Sequence, residues 1–186
     1  MGKRDVQFAQ GSYYHLYNRG ANHQSIFLED ANYVFVLRKM KDYAKQFSIA
    51  VISYCLMPNH YHWLVRQDGE TSASMFVQRV FNSYGKAFNK RFERTGTLFE
   101  GKFEAIHVDE TEYLLHLCRY IHTNPIKHGF AYRADEWQFS NYLEWVGKRD
   151  GALVDRAFVR EYFPNPADYI RFVEEYRPPI NPALDG

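Results

Sequence analysis

Two cysteines, Cys55 and Cys118, are all that the 186-residue sequence holds. They show no paired spacing, which excludes a disulfide framework or a zinc knuckle and fits a reducing cytosol. Long apolar runs are missing as well: no stretch approaches the ~18 apolar residues that a bilayer-spanning helix needs. Met1 to Gln10 is polar and carries no apolar stretch of signal-peptide type. The expectation is a soluble, cytoplasmic protein with no membrane partner. Net charge is nearly absent at +1, so no global basic footprint points to nucleic acid. No internal repeat or low-complexity segment is present, which sets aside repeat architectures.

Aromatic residues are abundant, at 18% with 15 Tyr, 15 Phe and 3 Trp. Rings of this kind mostly fill cores, and they also stack on unpaired bases. A hydrophobic share of 46% is enough for a real core and argues against disorder. The near-neutral total hides an uneven distribution. Gln78 to Phe103 holds six Lys/Arg against two Glu, a local +4, and Asp150 to Gly186 holds four Arg against seven Asp/Glu, a local −3.

Ser12 to Arg19 (SYYHLYNR) reads as a strand ending at Gly20. From Asp30, as N-cap, a helix carries Tyr33, Val34, Leu37, Met40 and Ala44 at helical spacing and ends near Phe47. Ile49 to Met57 is a buried strand, Pro58-Asn59 a turn, and His60 to Arg66 the returning strand. A second helix spans Ser72 to Phe92, and Phe103 to Asp109 is a fourth strand. A third helix starts at Thr111, its N-cap, and ends at Asn124, because Pro125 disfavours helical geometry there. The order predicts an α+β, ferredoxin-like (split β-α-β) four-stranded antiparallel sheet backed by two helices. The third helix is left to cover the other face. Residues 1–147 form the expected domain. Residues 148–186, where Tyr162 to Asn165 and Arg177 to Pro182 read as extended chain, form a C-terminal extension wrapped on it.

Two residues apart on a strand, His60 and His62 project to one face, and neutral imidazole is the commonest protein metal ligand. A plain pair of histidines near a strand edge explains the spacing as well. Tyr61, Trp63 and Val65 point the other way, toward the backing helices. Tyr120 and Asn124, four apart, share one helix face at the edge of a stripe of Leu114, Leu117, Cys118 and Ile121. If that helix covers the histidine face, the Asn124 amide oxygen could complete a three-ligand site. Otherwise Tyr120 is a boundary aromatic and Asn124 merely precedes a proline.

Met57 to Val65 (MPNHYHWLV) and Arg119 to Pro125 (RYIHTNP) together resemble the single-tyrosine HUH transposases of bacterial insertion sequences. The likeness is greatest to the REP-associated tyrosine transposase branch, with its MPNH-x-H, Tyr-x-x-x-Asn-Pro and later Trp-x-x-Ser patterns. The last is Trp137-Gln138-Phe139-Ser140 here, and Gly101 to Phe103 is similar too. The resemblance runs from Ser12 to Gly147 and departs in the middle of the HUH triplet, where Tyr61 replaces an aliphatic residue. It implies metal-assisted transesterification on single-stranded, hairpin-associated DNA, giving a 5′-phosphotyrosine link and a free 3′-OH. Tyr120 is then the nucleophile, His60 and His62 are metal ligands, and Asn124 is the third ligand where relatives carry Gln. Phosphate oxygens and an amide ligand suit Mg²⁺ or Mn²⁺, whereas two imidazoles alone would favour zinc or nickel. A single such tyrosine holds one DNA end at a time. Excision at two ends then takes two sequential events or two active sites, as in a homodimer.

For DNA contact, Arg79, Lys86 and Lys90 share the outer face of the second helix, and Arg19 and Lys102 flank sheet ends. A solvated helix face accounts for the first three equally well. Two other classes compete. An RRM-like nucleic-acid-binding module has the same element order, but its stacking face would carry the two imidazoles. A hydrolase using His60, His62 and water leaves Tyr120 idle and lacks a nearby carboxylate base.

Overall fold

The Pro58-Asn59 turn sets the frame. The computed structural model describes residues 6–175. In it β2 (Ile49–Met57) and β3 (His60–Gln67) leave that turn as an antiparallel pair, with Met57 opposite His60. β1 (Tyr13–Arg19) lies between β3 and β4 (Glu104–Val108), antiparallel to both, giving the order β2-β3-β1-β4. α1 (Asp30–Phe47) joins β1 to β2, and α2 (Ala73–Arg91) joins β3 to β4. This is the expected split β-α-β fold. Local chemistry fixes the helix ends. The Ser72 side chain accepts from Met75 N–H at the start of α2, and Ser48, in the left-handed region at φ 53°, closes α1.

Alternation along β3 divides the molecule into two cores. Tyr61, Trp63 and Val65 face α1 and α2 and join Tyr33, Val36, Met40, Phe76 and Phe81 in one cluster. Phe81 stacks on Tyr61 at 4.1 Å and on Trp63 at 4.8 Å between ring centroids. The opposite face is covered by α3 (Thr111–Lys127), whose Leu114, Leu117, Cys118 and Ile121 meet Ile52, Cys55, Met57 and Leu64. Because both faces are covered, β2 is buried along nearly its whole length.

The structure corrects three readings of the sequence. Helix caps fall one residue earlier than expected, at Glu29 and Glu110. α3 does not stop at Asn124 but runs through Pro125 to Lys127. Proline lacks the N–H that would meet the Ile121 carbonyl. Beyond it the chain recovers, with His128 N–H donating to the Asn124 carbonyl at 3.1 Å and Phe130 N–H to that of Pro125 at 2.8 Å. The C-terminal segment, expected to be extended, holds short helices among the described residues. α4 (Tyr142–Trp145), α5 (Arg156–Tyr162) and α6 (Pro166–Glu174) follow one another; of the stretch expected to be extended, Tyr162 ends α5 and Phe163 to Asn165 is the non-helical link to α6. Arg177 to Pro182 lies outside the described residues. Phe158, Val159, Tyr169 and Val173 pack into the same cluster as α3. The Trp137–Ser140 segment shields the open edge of β2: Trp137 Nε1 donates to the Leu56 carbonyl at 3.0 Å and Leu56 N–H to that of Phe139 at 2.9 Å.

Candidate active site

β3 and α3 bring four side chains together. His60 and His62 share one face, with ring centroids 5.2 Å apart. Tyr120 stands edge-on to His62 at 5.5 Å. One turn further along α3, Asn124 Oδ1 lies 2.8 Å from His60 Nε2. The sequence put Tyr120 and Asn124 at the edge of the apolar stripe. They are inside it instead, 6% and 0% exposed, and His62 is 4% exposed.

Burial governs the electrostatics. It lowers the pKa of His60 to about 4, against the opposing effect of its hydrogen bond with Asn124. His62 is driven well below the ordinary value by burial, then by His15, His60, His128 and Lys127. Both imidazoles are therefore neutral at pH 7, the form that can ligate a cation. Among the described residues, no three His, Cys, Asp or Glu side chains form a metal cluster, and the side-chain oxygen nearest His60 across the seam is the amide oxygen of Asn124. His60 supports its fit as a third ligand. Its Nδ1 lies 2.8 Å from Asn59 Oδ1 and its Nε2 2.8 Å from Asn124 Oδ1. A neutral ring has one proton for two oxygens, so one contact sets lone pair against lone pair unless an amide turns over. A cation shared by Nε2 and Oδ1 removes that conflict. The buried Asn124 Nδ2 has no hydrogen-bond partner, which marks an amide not placed for a protein partner alone.

A sequence profile described as transposase, IS200-like, matches residues 9–124. The chain belongs to the IS200-like transposase family. Membership in a transposase family implies a DNA-cleaving enzyme. No curated protein matches this transposase in sequence. Among solved structures it is similar to a REP-associated tyrosine transposase bound to a REP hairpin. The TM-score is 0.67 at 17% identity, over 84% of this chain and 98% of the other. That likeness supports the fold. A candidate transposase from Deinococcus radiodurans R1 is more distant, at TM-score 0.44 and 15% identity, over 65% of this chain and 94% of the other.

The basic residues singled out in the sequence are scattered over this transposase. Arg19 stands opposite His60 in the β1–β3 ladder and is ion-paired with Glu100. Arg79 and Lys86 line a groove of about 290 Å³ on the outside of α2, and Lys90 is exposed further along that helix. Lys102 borders a cleft of about 660 Å³ beside Tyr61, Phe81 and Phe99. Except for Arg19, these cations belong to the α2 side of the sheet, away from the histidine face.

Of three histidines that sequence reasoning passed over, His128 and His15 touch the transposase site and His122 lies in the core beside it on α3. His128 packs against His60 at 4.9 Å between centroids. His122, fully buried, meets Tyr169 OH at 2.5 Å and Asn141 Oδ1 at 2.8 Å. His15 Nε2 is 3.0 Å from His62 Nδ1. The signal for His15 was the alternation of β1, which sends His15, Tyr17 and Arg19 to one face. No signal short of strand register tied that face to His62. Lys127 was missed because α3 was expected to stop before it. Its Nζ lies 5.5 Å from the Tyr120 ring centroid.

Proposed function

We propose that this transposase is a nickase-ligase for single-stranded, hairpin-associated DNA, with Tyr120 as nucleophile. The observation that carries the reading is the seam where Tyr120 and Asn124 of α3 meet His62 and His60 of β3. A divalent cation, Mg²⁺ or Mn²⁺, held by His60, His62 and Asn124 would polarise a non-bridging phosphate oxygen and offset developing charge. Tyr120 Oη attacks phosphorus, the bond from phosphorus to the 3′-oxygen breaks, and the departing oxygen leaves as a 3′-OH. The phenol loses one proton and the 3′-oxygen gains one. The phosphate stays esterified to Tyr120, so a 3′-OH can reverse the step without ATP. Lys127 adds positive charge beside the ring in which phenolate character develops.

In this reading residues 1–147 are the catalytic domain and 148–186 an extension packed on it. Arg19, Arg79, Lys86, Lys90 and Lys102 are candidate DNA contacts. The enzyme works in the cytoplasm, and a homodimer would supply the second site for excision at two ends. Among the described residues no helix is long and apolar enough to cross a membrane.

A denaturing gel of the protein with end-labelled single-stranded hairpin DNA and Mg²⁺ tests the proposal. A covalent protein–DNA band should form, should vanish with EDTA, and should not form on fully paired duplex. Tyr120→Phe should abolish it while stability changes by no more than about 1 kcal/mol, the worth of one hydrogen bond. A band retained by folded Tyr120→Phe would move the nucleophile elsewhere. No band from the wild type, with hairpin binding intact, would leave a binding module.

A further inference from the structure

His15 lies on β1, the strand beside the histidine pair, and the proposed chemistry gives it no part. It is 1% exposed and stacks on His62 at 5.2 Å and 24°. Its Nε2 is 3.0 Å from His62 Nδ1, while its own Nδ1 is buried with no hydrogen-bond partner. Tyr17 closes its other side at 4.8 Å.

The two rings meet out of reach of solvent, each through one nitrogen. Two neutral imidazoles share one proton across such a contact, and it has two places to be. If His15 Nε2–H donates, His62 carries its own proton on Nε2 and has no lone pair left for a cation. If His62 Nδ1–H donates, its Nε2 keeps the lone pair and His15 is protonated at Nδ1. His62 Nδ1 cannot itself be the ligand, because His15 occupies the space in front of it. Only the second arrangement lets His62 bind metal.

We infer that His15 is a positioning residue: its Nε2 accepts the Nδ1 proton of His62, fixes that ring and leaves Nε2 to the divalent cation. Outer-shell partners of this kind set the tautomer of a ligating histidine. The assignment also gives the lone Nδ1 of His15 a reason. In that arrangement it carries the ring's one proton and leaves Nε2 free to accept from His62. This inference rests on the metal site proposed above.

The test uses the DNA-free protein and Mn²⁺, with binding read by electron paramagnetic resonance. His15→Phe keeps an aromatic ring but accepts no proton, and should weaken Mn²⁺ binding by about 10- to 100-fold. His15→Gln offers an amide oxygen near the place of Nε2 and should restore most of it. Equal affinity in wild type and folded His15→Phe would overturn the role of His15 while leaving the metal site standing. A wild type that binds no Mn²⁺ would overturn both. ¹⁵N NMR of the metal-free wild type gives a reading that no variant's failure to fold can spoil. His62 should be protonated at Nδ1, and protonation at Nε2 would overturn the inference.

Discussion

The two faces of the sheet are built from opposite materials. Against α1 and α2, the buried groups are almost wholly rings and aliphatic chains, with Phe81 stacked on Tyr61 and Trp63 and edge-on to Tyr84. Against α3, His15, Ser53, His62, His122, Asn124 and Asn141 are all buried among the apolar residues. Apolar burial stabilises at about 25 cal/mol per Å². A buried polar group gains only about 0.5–1.5 kcal/mol per hydrogen bond when its partners are complete, and costs about 1–3 kcal/mol when one is missing. The first face therefore holds the fold, and the second spends part of that stability on placing polar atoms. Asn141 shows how tightly they are placed. Its Oδ1 accepts from Tyr54 N–H at 2.9 Å, its Nδ2 donates to the Ile52 carbonyl at 2.9 Å and to that of Leu153 at 3.1 Å, and His122 completes the set.

The division can be broken from either side. Trp63→Ala should have the largest effect on stability, about 3–5 kcal/mol in urea unfolding, because it empties a fully buried site. Tyr120→Phe on the other face should barely move the same midpoint. A Trp63→Ala loss below about 1 kcal/mol would mean that the apolar face is not the main support. Acid should act on the polar face alone. Burial lowers His15 to about 3 and His60 and His122 to about 4, below the 6.5 of an unfolded chain. As pH falls through 6.5, the unfolded state takes up protons that the folded state refuses. Stability is full above pH 6.5 and is lost below it, at about 1.4 kcal/mol per pH unit for each such group. Urea midpoints between pH 7 and 5, above the ordinary carboxylate range, should show this fall, and a flat profile would mean that these rings are not shielded. The smallest effect should come from Arg79→Ala and Lys86→Ala on the outside of α2, within about 0.5 kcal/mol of wild-type stability. If that surface carries DNA, each should also lower the salt slope of hairpin binding by about 1.

Much of the first face was legible in the sequence. β2 was delimited to the residue because its apolar run is bounded by Ser48 and by Pro58-Asn59. The period of two in β3 was enough to part Trp63 from His62. The second face was harder, because its contacts are distant in sequence. His122 reaches Asn141 and Tyr169, 19 and 47 residues on, and neither spacing is periodic. Pro125 was over-weighted: the bias against a helix before proline is real, yet packing carried α3 one turn further. The tail misled for a different reason. Helices of 4, 7 and 9 residues are too short to show an apolar period. Their caps were the usable signal. Asp155 accepts from Ala157 and Phe158 N–H, and Asn165 caps a helix that opens with Pro166.

The order β2-β3-β1-β4 puts both strands that carry the site histidines in the interior of the sheet. Interior strands belong to the part of a protein that exchanges amide hydrogens only on global opening. The amides of His15, His60 and His62 should therefore be among the slowest to exchange with deuterium. The segment after Asn124 is of the other kind, with Ile126 37% and Phe130 47% exposed. If the proposed strand transfer holds, the motions that admit and release DNA should fall to the α3 side of the seam, with β1 and β3 keeping their register.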